Sequence, residues 1–144
     1  MLQRIQSVWL LLAALCFLGQ WYPGIALAKS SAAGLGAFED QQFLSSESYA
    51  VLIGSGVTGI LCLISIFMYK ERVMQILIVA ISSLIQMICG VAIPFYTINK
   101  LGKMSQFDPG PGLWLTGIGL FLCWMATRSI RKDEALVKSM ERLR

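Results

Sequence analysis

The chain has 144 residues, of which 56% are hydrophobic and only 14% charged, with a mean hydropathy of +0.68 and a formal net charge of +4. Soluble domains carry about 25% charged residues, so this composition excludes an ordinary water-exposed surface around one domain of this length. Histidine is absent, which removes the commonest general base and the commonest metal ligand.

A hydrocarbon core of about 30 Å needs about 20 apolar residues in a helix rising about 1.5 Å per residue. The first stretch, residues 5–27, is apolar from Ile5 to Tyr22 except at Gln6, Ser7 and Gln20. Arg4 in front and Ala26-Leu27-Ala28 behind also fit a secretory signal with an A-x-A cleavage site. The apolar run continues through Trp21, Tyr22 and Ile25, as an interface-anchored span would, and a retained span is the reading adopted. Cleavage would leave three spans in the same orientation. Residues 29–48 follow as a polar outer loop with Glu39, Asp40 and Glu47.

The second span, 49–69, contains Gly54-Ser55-Gly56-Val57-Thr58-Gly59, a match to G-x-G-x-x-G. That fingerprint binds nucleotides only between a strand and a helix start; inside an apolar run its small residues serve close helix approach, with Ser55 and Gly59 a small-xxx-small pair. The short turn Lys70-Glu71-Arg72 leads into a third span, 73–96, where Gln86 is the most notable polar group and Pro94 kinks or ends the helix. A second outer loop, 97–110, closes with Pro-Gly punctuation before the fourth span, 111–127, in which Gly112, Thr116 and Gly119 are further small residues for helix contact. The tail 128–144 continues as a basic helix with Glu134 and Lys138 as an i,i+4 pair.

Nine of the twelve Lys and Arg residues fall on one side: Arg4, Lys70, Arg72, Arg128, Arg131, Lys132, Lys138, Arg142 and Arg144. Lys29, Lys100 and Lys103 fall on the other. Basic short loops stay cytoplasmic, so both termini are expected inside, and a pI near 9.0 needs no nucleic acid to explain it. The cysteines Cys16, Cys62, Cys89 and Cys123 show no C-x-x-C spacing and read as small apolar filler. No catalytic constellation, cofactor motif or metal-ligand spacing is expected.

The opening Met1-Leu2-Gln3-Arg4-Ile5-Gln6-Ser7-Val8-Trp9, the turn Tyr69-Lys70-Glu71-Arg72 and the ending Ile130-Arg131-Lys132-Asp133-Glu134-Ala135-Leu136-Val137-Lys138-Ser139-Met140-Glu141-Arg142-Leu143-Arg144 together resemble an uncharacterised domain-of-unknown-function family of small four-helix inner-membrane proteins from Bacteroidota. The resemblance spans the chain and implies a retained first span. It carries no established activity, so it transfers no site residues; it draws attention to Arg4, Arg131, Lys132, Asp133, Glu134, Lys138, Arg142 and Arg144.

The expected architecture is all-α, a single polytopic domain of four transmembrane helices in an antiparallel bundle, N-in and C-in, with a basic cytoplasmic C-terminal helix. The expected role is a non-enzymatic accessory or structural subunit of a bacterial inner-membrane complex, the alternative being a small homo-oligomeric transporter or channel. Expected partners are the lipid bilayer, other membrane-protein subunits, and anionic lipid at the tail. Interaction candidates are Gly54, Ser55, Gly59 and Gln86 within the spans, and Arg4 with the tail residues at the basic end.

Overall fold

The computed structural model describes residues 2–30, 42–101 and 107–142. Expectations on Glu39, Asp40, Lys103 and Arg144 lie outside these residues, and for Arg4, Lys138 and Arg142 only the helical backbone is described.

Helix α1 (Leu2–Gly19) is a Leu-rich segment, and leucine is a good helix former. It ends earlier than the first apolar stretch suggests. Pro23 and Gly24 break the pattern, and turn hydrogen bonds from the N–H groups of Trp21, Tyr22 and Ile25 to the carbonyls of Leu18, Gly19 and Tyr22 redirect the backbone. Strand β1 (Ala26–Ser30) follows, so the expected span to residue 27 is corrected to a helix plus a strand. The all-α expectation is corrected with it. β1 is the middle of a three-stranded antiparallel sheet, between β2 (Gln42–Leu44) and β3 (Phe107–Pro109). Ala28 pairs with Phe43 on one side and Pro109 on the other.

Helix α2 (Tyr49–Phe67) follows a single 3-10 turn at Ser45–Glu47. A tight turn through Lys70 leads into α3 (Arg72–Met87), a π turn (Ile88–Ala92) and α4 (Ile93–Leu101), which run on as one rod. The helix therefore continues past residue 96, the expected end of the third span, and takes in the first residues of the expected loop 97–110 as far as Leu101. Pro94 has no N–H and crowds the carbonyl four residues back; the wider π turn beside it is a known way of accommodating such a break without ending the helix. Finally α5 (Pro111–Arg142) continues without interruption from the fourth apolar stretch through the basic tail.

Tyr49–Phe67, Arg72–Lys100 and Pro111–Val137 are long and apolar enough to cross a membrane; Ile5–Gly19 is a shorter apolar helix. The chain is mostly helical. The helices pack in a closed ring of contacts, α1 on α2, α2 on α3, α3 on α5 and α5 on α1. α1 supplies the middle of the core: Leu10, Ala13, Ala14 and Phe17 are buried against Cys62, Val79, Leu122, Cys123 and Ala126. Outward faces carry Val8, Leu15, Ile53, Leu77, Leu84, Ile118 and Phe121, all exposed, as hydrocarbon rather than water would favour.

Small residues set the helix distances. A Cβ at Gly59 would lie 2.7 Å from Leu18 Cγ, and one at Gly119 would collide with the ring of Phe17. Gly117 has open space around its Cβ position. Gly119→Val should therefore lower the thermal stability of the detergent-solubilised protein by about 1–3 kcal/mol. Gly117→Ala should leave it unchanged or slightly raised; equal melting of the two variants would contradict the packing.

Candidate functional site

Each helix points one stripe of residues inward at alternating 3- and 4-residue steps. These are Gln6, Leu10, Ala13, Phe17 and Gln20 on and just past α1; Val51, Ser55, Thr58, Cys62 and Ser65 on α2; Gln75, Val79, Ser82 and Gln86 on α3; and Thr116, Gly119, Cys123, Ala126 and Ile130 on α5. Such spacing keeps a stripe on one helix face. Polar residues recur along these stripes, and Gln6, Gln20, Ser55, Thr58, Ser65, Gln75, Ser82, Gln86 and Thr116 are all at most 4% exposed. Inside the bundle buried polar groups alternate with apolar ones, while the outward faces are apolar.

The polar groups meet across helices. Gln86 Oε1 accepts from the Thr58 hydroxyl at 2.9 Å, and Gln86 Nε2 donates to Gln20 Oε1 at 3.4 Å. Gln20 Nε2 in turn donates to Thr116 Oγ1 at 2.9 Å. Four segments are thus joined through four side chains: the end of the first stretch, the middle of α2, the end of α3 and the first turns of α5. Thr58 also faces its own Gly54 carbonyl, so its single proton is shared between two acceptors. Thr116 returns its proton to the Gly112 carbonyl at 3.1 Å. Nearby, Ser45 donates to the Gln20 carbonyl, and Trp21 Nε1 reaches Ser55 Oγ at 3.0 Å and the Leu52 carbonyl at 3.2 Å.

Farther along, Cys62 Sγ lies 3.7 Å from Ser82 Oγ and 3.9 Å from Cys123 Sγ. Gln75 Nε2 donates to the Ser65 carbonyl at 3.0 Å, while Gln75 Oε1 and Ser65 Oγ are buried without a protein partner. At that end of the bundle Gln6 Nε2 donates to the Asp133 carboxylate and Arg72 Nη1 to the Asp133 carbonyl, the latter at 3.0 Å. These two bonds tie the start of α1, the α2–α3 turn and the late part of α5 together.

The sequence candidates separate into two places. Gly54, Ser55, Gly59 and Gln86 belong to the buried ladder: Gly54 packs on Cys89, Gly59 on Leu18, and Ser55 receives Trp21. Arg131 and Lys132 are exposed at the other end, with Asp133 and Glu134 half-buried beside them. Gln20 and Thr116 have parts that sequence reasoning does not assign them, one being an interruption of an apolar run and the other a small packing residue. Trp21, expected as an interfacial anchor, is a hydrogen-bond donor onto α2. The signal that could have found Gln20, Thr58 and Thr116 is their shared register with the apolar stripe.

A family model described as a domain of unknown function (DUF4293) matches residues 2–143. The chain belongs to this family. No curated protein and no solved structure matches the chain. For this family member the ladder consists of neutral amides, hydroxyls and thiols, groups suited to holding helices together. Among the described residues no group of three or more His, Cys, Asp or Glu is placed to hold a metal ion.

Interhelical hydrogen bonds inside membranes contribute on average about 0.6 kcal/mol and at most about 1.7 kcal/mol. Gln86→Leu removes one partner from both Thr58 and Gln20, so a loss of about 1–2 kcal/mol is expected in a reversible unfolding assay in mixed micelles. Combining it with Thr58→Val should cost less than the sum of the two single changes, by about 0.5 kcal/mol or more. Strict additivity would show that the two residues do not interact.

Proposed function

We propose that this protein is a non-catalytic accessory or structural subunit of a bacterial inner-membrane assembly, spanning the bilayer four times as one antiparallel bundle with both termini in the cytoplasm. The observation that carries the reading is the fate of the intramembrane polar groups. Gln20, Thr58, Gln86 and Thr116 are directed at one another and not at a path through the bundle. The interior is thereby devoted to holding helices, which leaves the outer faces and the basic end for contact with other molecules.

The orientation rests on nine of twelve basic residues falling on one side. It is supported by the bonds from Gln6 and Arg72 to Asp133, which gather the α1 start, the α2–α3 turn and the late part of α5 at that side. Retention of α1 as a span is supported by its burial: Leu10, Ala13 and Phe17 are 0% exposed, and its loss would open the core cluster. Ala26, Leu27 and Ala28, the candidate cleavage site, are likewise buried in the central strand.

One observation favours the transporter or channel alternative. Ser65 Oγ and Gln75 Oε1 are polar atoms inside the bundle that no protein group satisfies, a cost usually met by water.

Gentle extraction from native membranes, followed by native-size analysis and mass spectrometry, is expected to recover the chain in a complex with other membrane proteins. A lone monomer in several detergents and in nanodiscs would reject the accessory reading, and solute flux through liposomes holding the purified chain would replace it with the transporter. A reporter fused after Arg144 is expected to be active in the cytoplasm; activity in the periplasm would reverse the orientation.

A further inference from the structure

A cleft opens between α3 and α5, and none of the residues lining it belongs to the Gln20–Gln86 ladder. It encloses about 630 Å³, and its walls include Ser83, Leu120, Trp124, Arg128, Arg131 and Lys132. On α5, Leu120, Trp124 and Arg128 follow at 4-residue steps, and Arg131 and Lys132 lie 3 and 4 residues beyond Arg128, so they form a single stripe. Leu120 and Lys132 are separated by about 18 Å along the helix axis. Over that distance the stripe changes character once, from apolar at Leu120 and Trp124 to cationic at Arg128, Arg131 and Lys132. One leaflet of a bilayer changes in the same sense over about half of a 30 Å hydrocarbon core plus its headgroup layer.

The charge of the cleft is complementary to an anion. Neither Asp133 nor Glu134 lines it. Asp133 sits on the opposite face of α5, where Gln6 and Arg72 hold it. The Arg128 guanidinium lies over the Trp124 ring at 5.6 Å from the centroid, a stacking that fixes a normally mobile cation at the join between the apolar and cationic parts. Arg presents a planar fork of N–H donors that matches phosphate oxygens, and Trp favours the headgroup level of a membrane. An acidic protein segment would meet the cations but would also have to carry apolar surface down to Leu120.

We propose that this cleft binds one anionic phospholipid, its phosphate held by Arg128, Arg131 and Lys132 and an acyl chain lying along Trp124 and Leu120 toward Ser83. The proposal rests on the membrane reading above and is independent of the accessory role.

The test is native mass spectrometry of the full chain released from detergent micelles and titrated with phosphatidylglycerol or phosphatidylcholine. One phosphatidylglycerol should be retained with about tenfold preference. Retention should fall about tenfold or more in the triple variant R128Q/R131Q/K132Q and in Trp124→Ala, and should persist in Lys70→Gln, which changes an exposed cation outside the cleft. Arg131→Gln alone gives an intermediate loss and serves if the triple variant melts early. Equal retention of phosphatidylcholine, or full retention by a triple variant that melts like the parent, would overturn the site. Displacement by inorganic phosphate would reassign it to a free anion, and saturable binding of an acidic peptide in place of lipid would reassign it to a protein; either result rejects the lipid. Failure of the membrane reading would look different, as a chain monodisperse in buffer without detergent.

Discussion

A polar side chain placed in hydrocarbon must find its partner inside the protein, and the packing of these helices is organised around that requirement. Lipid tails are as apolar as leucine, so apolar side chains do not drive membrane helices together as they drive a soluble core. What remains is close contact at small residues and hydrogen bonds between helices. Both are concentrated on the inward stripes here. Gln86 is the joint, bonded to Thr58 on α2 and to Gln20 beyond α1, with Gln20 passing the connection to Thr116 on α5. The π turn that follows Gln86 places Gly90 where a Cβ would collide with Gln86 Nε2 and lie 3.1 Å from the Thr116 methyl. A glycine at this turn lets α3 and α5 close over the ladder.

The two ends of the bundle are finished differently. At one end the backbone leaves α1 through a Pro-Gly turn and enters a three-stranded sheet, which pairs amide groups that would otherwise be orphaned as the chain passes between helices. Gly110 donates its N–H to the Leu27 carbonyl at 2.9 Å, and any side chain there would strike the Ala26 carbonyl, so α5 starts directly against the central strand. At the other end there is no sheet among the described residues. Asp133 is held by Gln6 and Arg72, and α5 runs on past it with its cations turned to the opposite face. One end is closed by backbone pairing and the other presents charge.

Much of the helical layout was legible in one dimension, because the length of an uncharged apolar run is all that hydrocarbon thickness demands. Tyr49–Phe67 and the start of α5 at Pro111 fall within two residues of the expected limits. The small residues of α2 were also legible as contact points, although which helix each would meet was not: Gly54 meets Cys89, Gly59 meets Leu18 and Gly56 meets Trp21. The end of α1 was not legible in this way, because hydrophobicity continues through Ile25 while the backbone has already turned at Pro23 and Gly24. The third rod runs beyond the apolar limit at residue 96 because the helix continues through Thr97, Asn99 and Lys100 to Leu101, where hydropathy no longer marks it. Cys62 and Cys123, 61 positions apart, come within 3.9 Å only because α2 and α5 both direct their stripes inward.

Composition and periodicity by themselves determined the long apolar helices, long enough to cross a membrane, and the uneven distribution of basic residues, since each depends on counting residues along the chain. Tertiary structure decided the partners. Whether Gln20 interrupts a span or completes a hydrogen-bonded ladder depends on what faces it across the bundle. Whether Arg128, Arg131 and Lys132 form a diffuse basic tail or one cleft depends on where α3 lies beside α5. Those distances between segments remote in sequence arise from packing, and no local pattern encodes them.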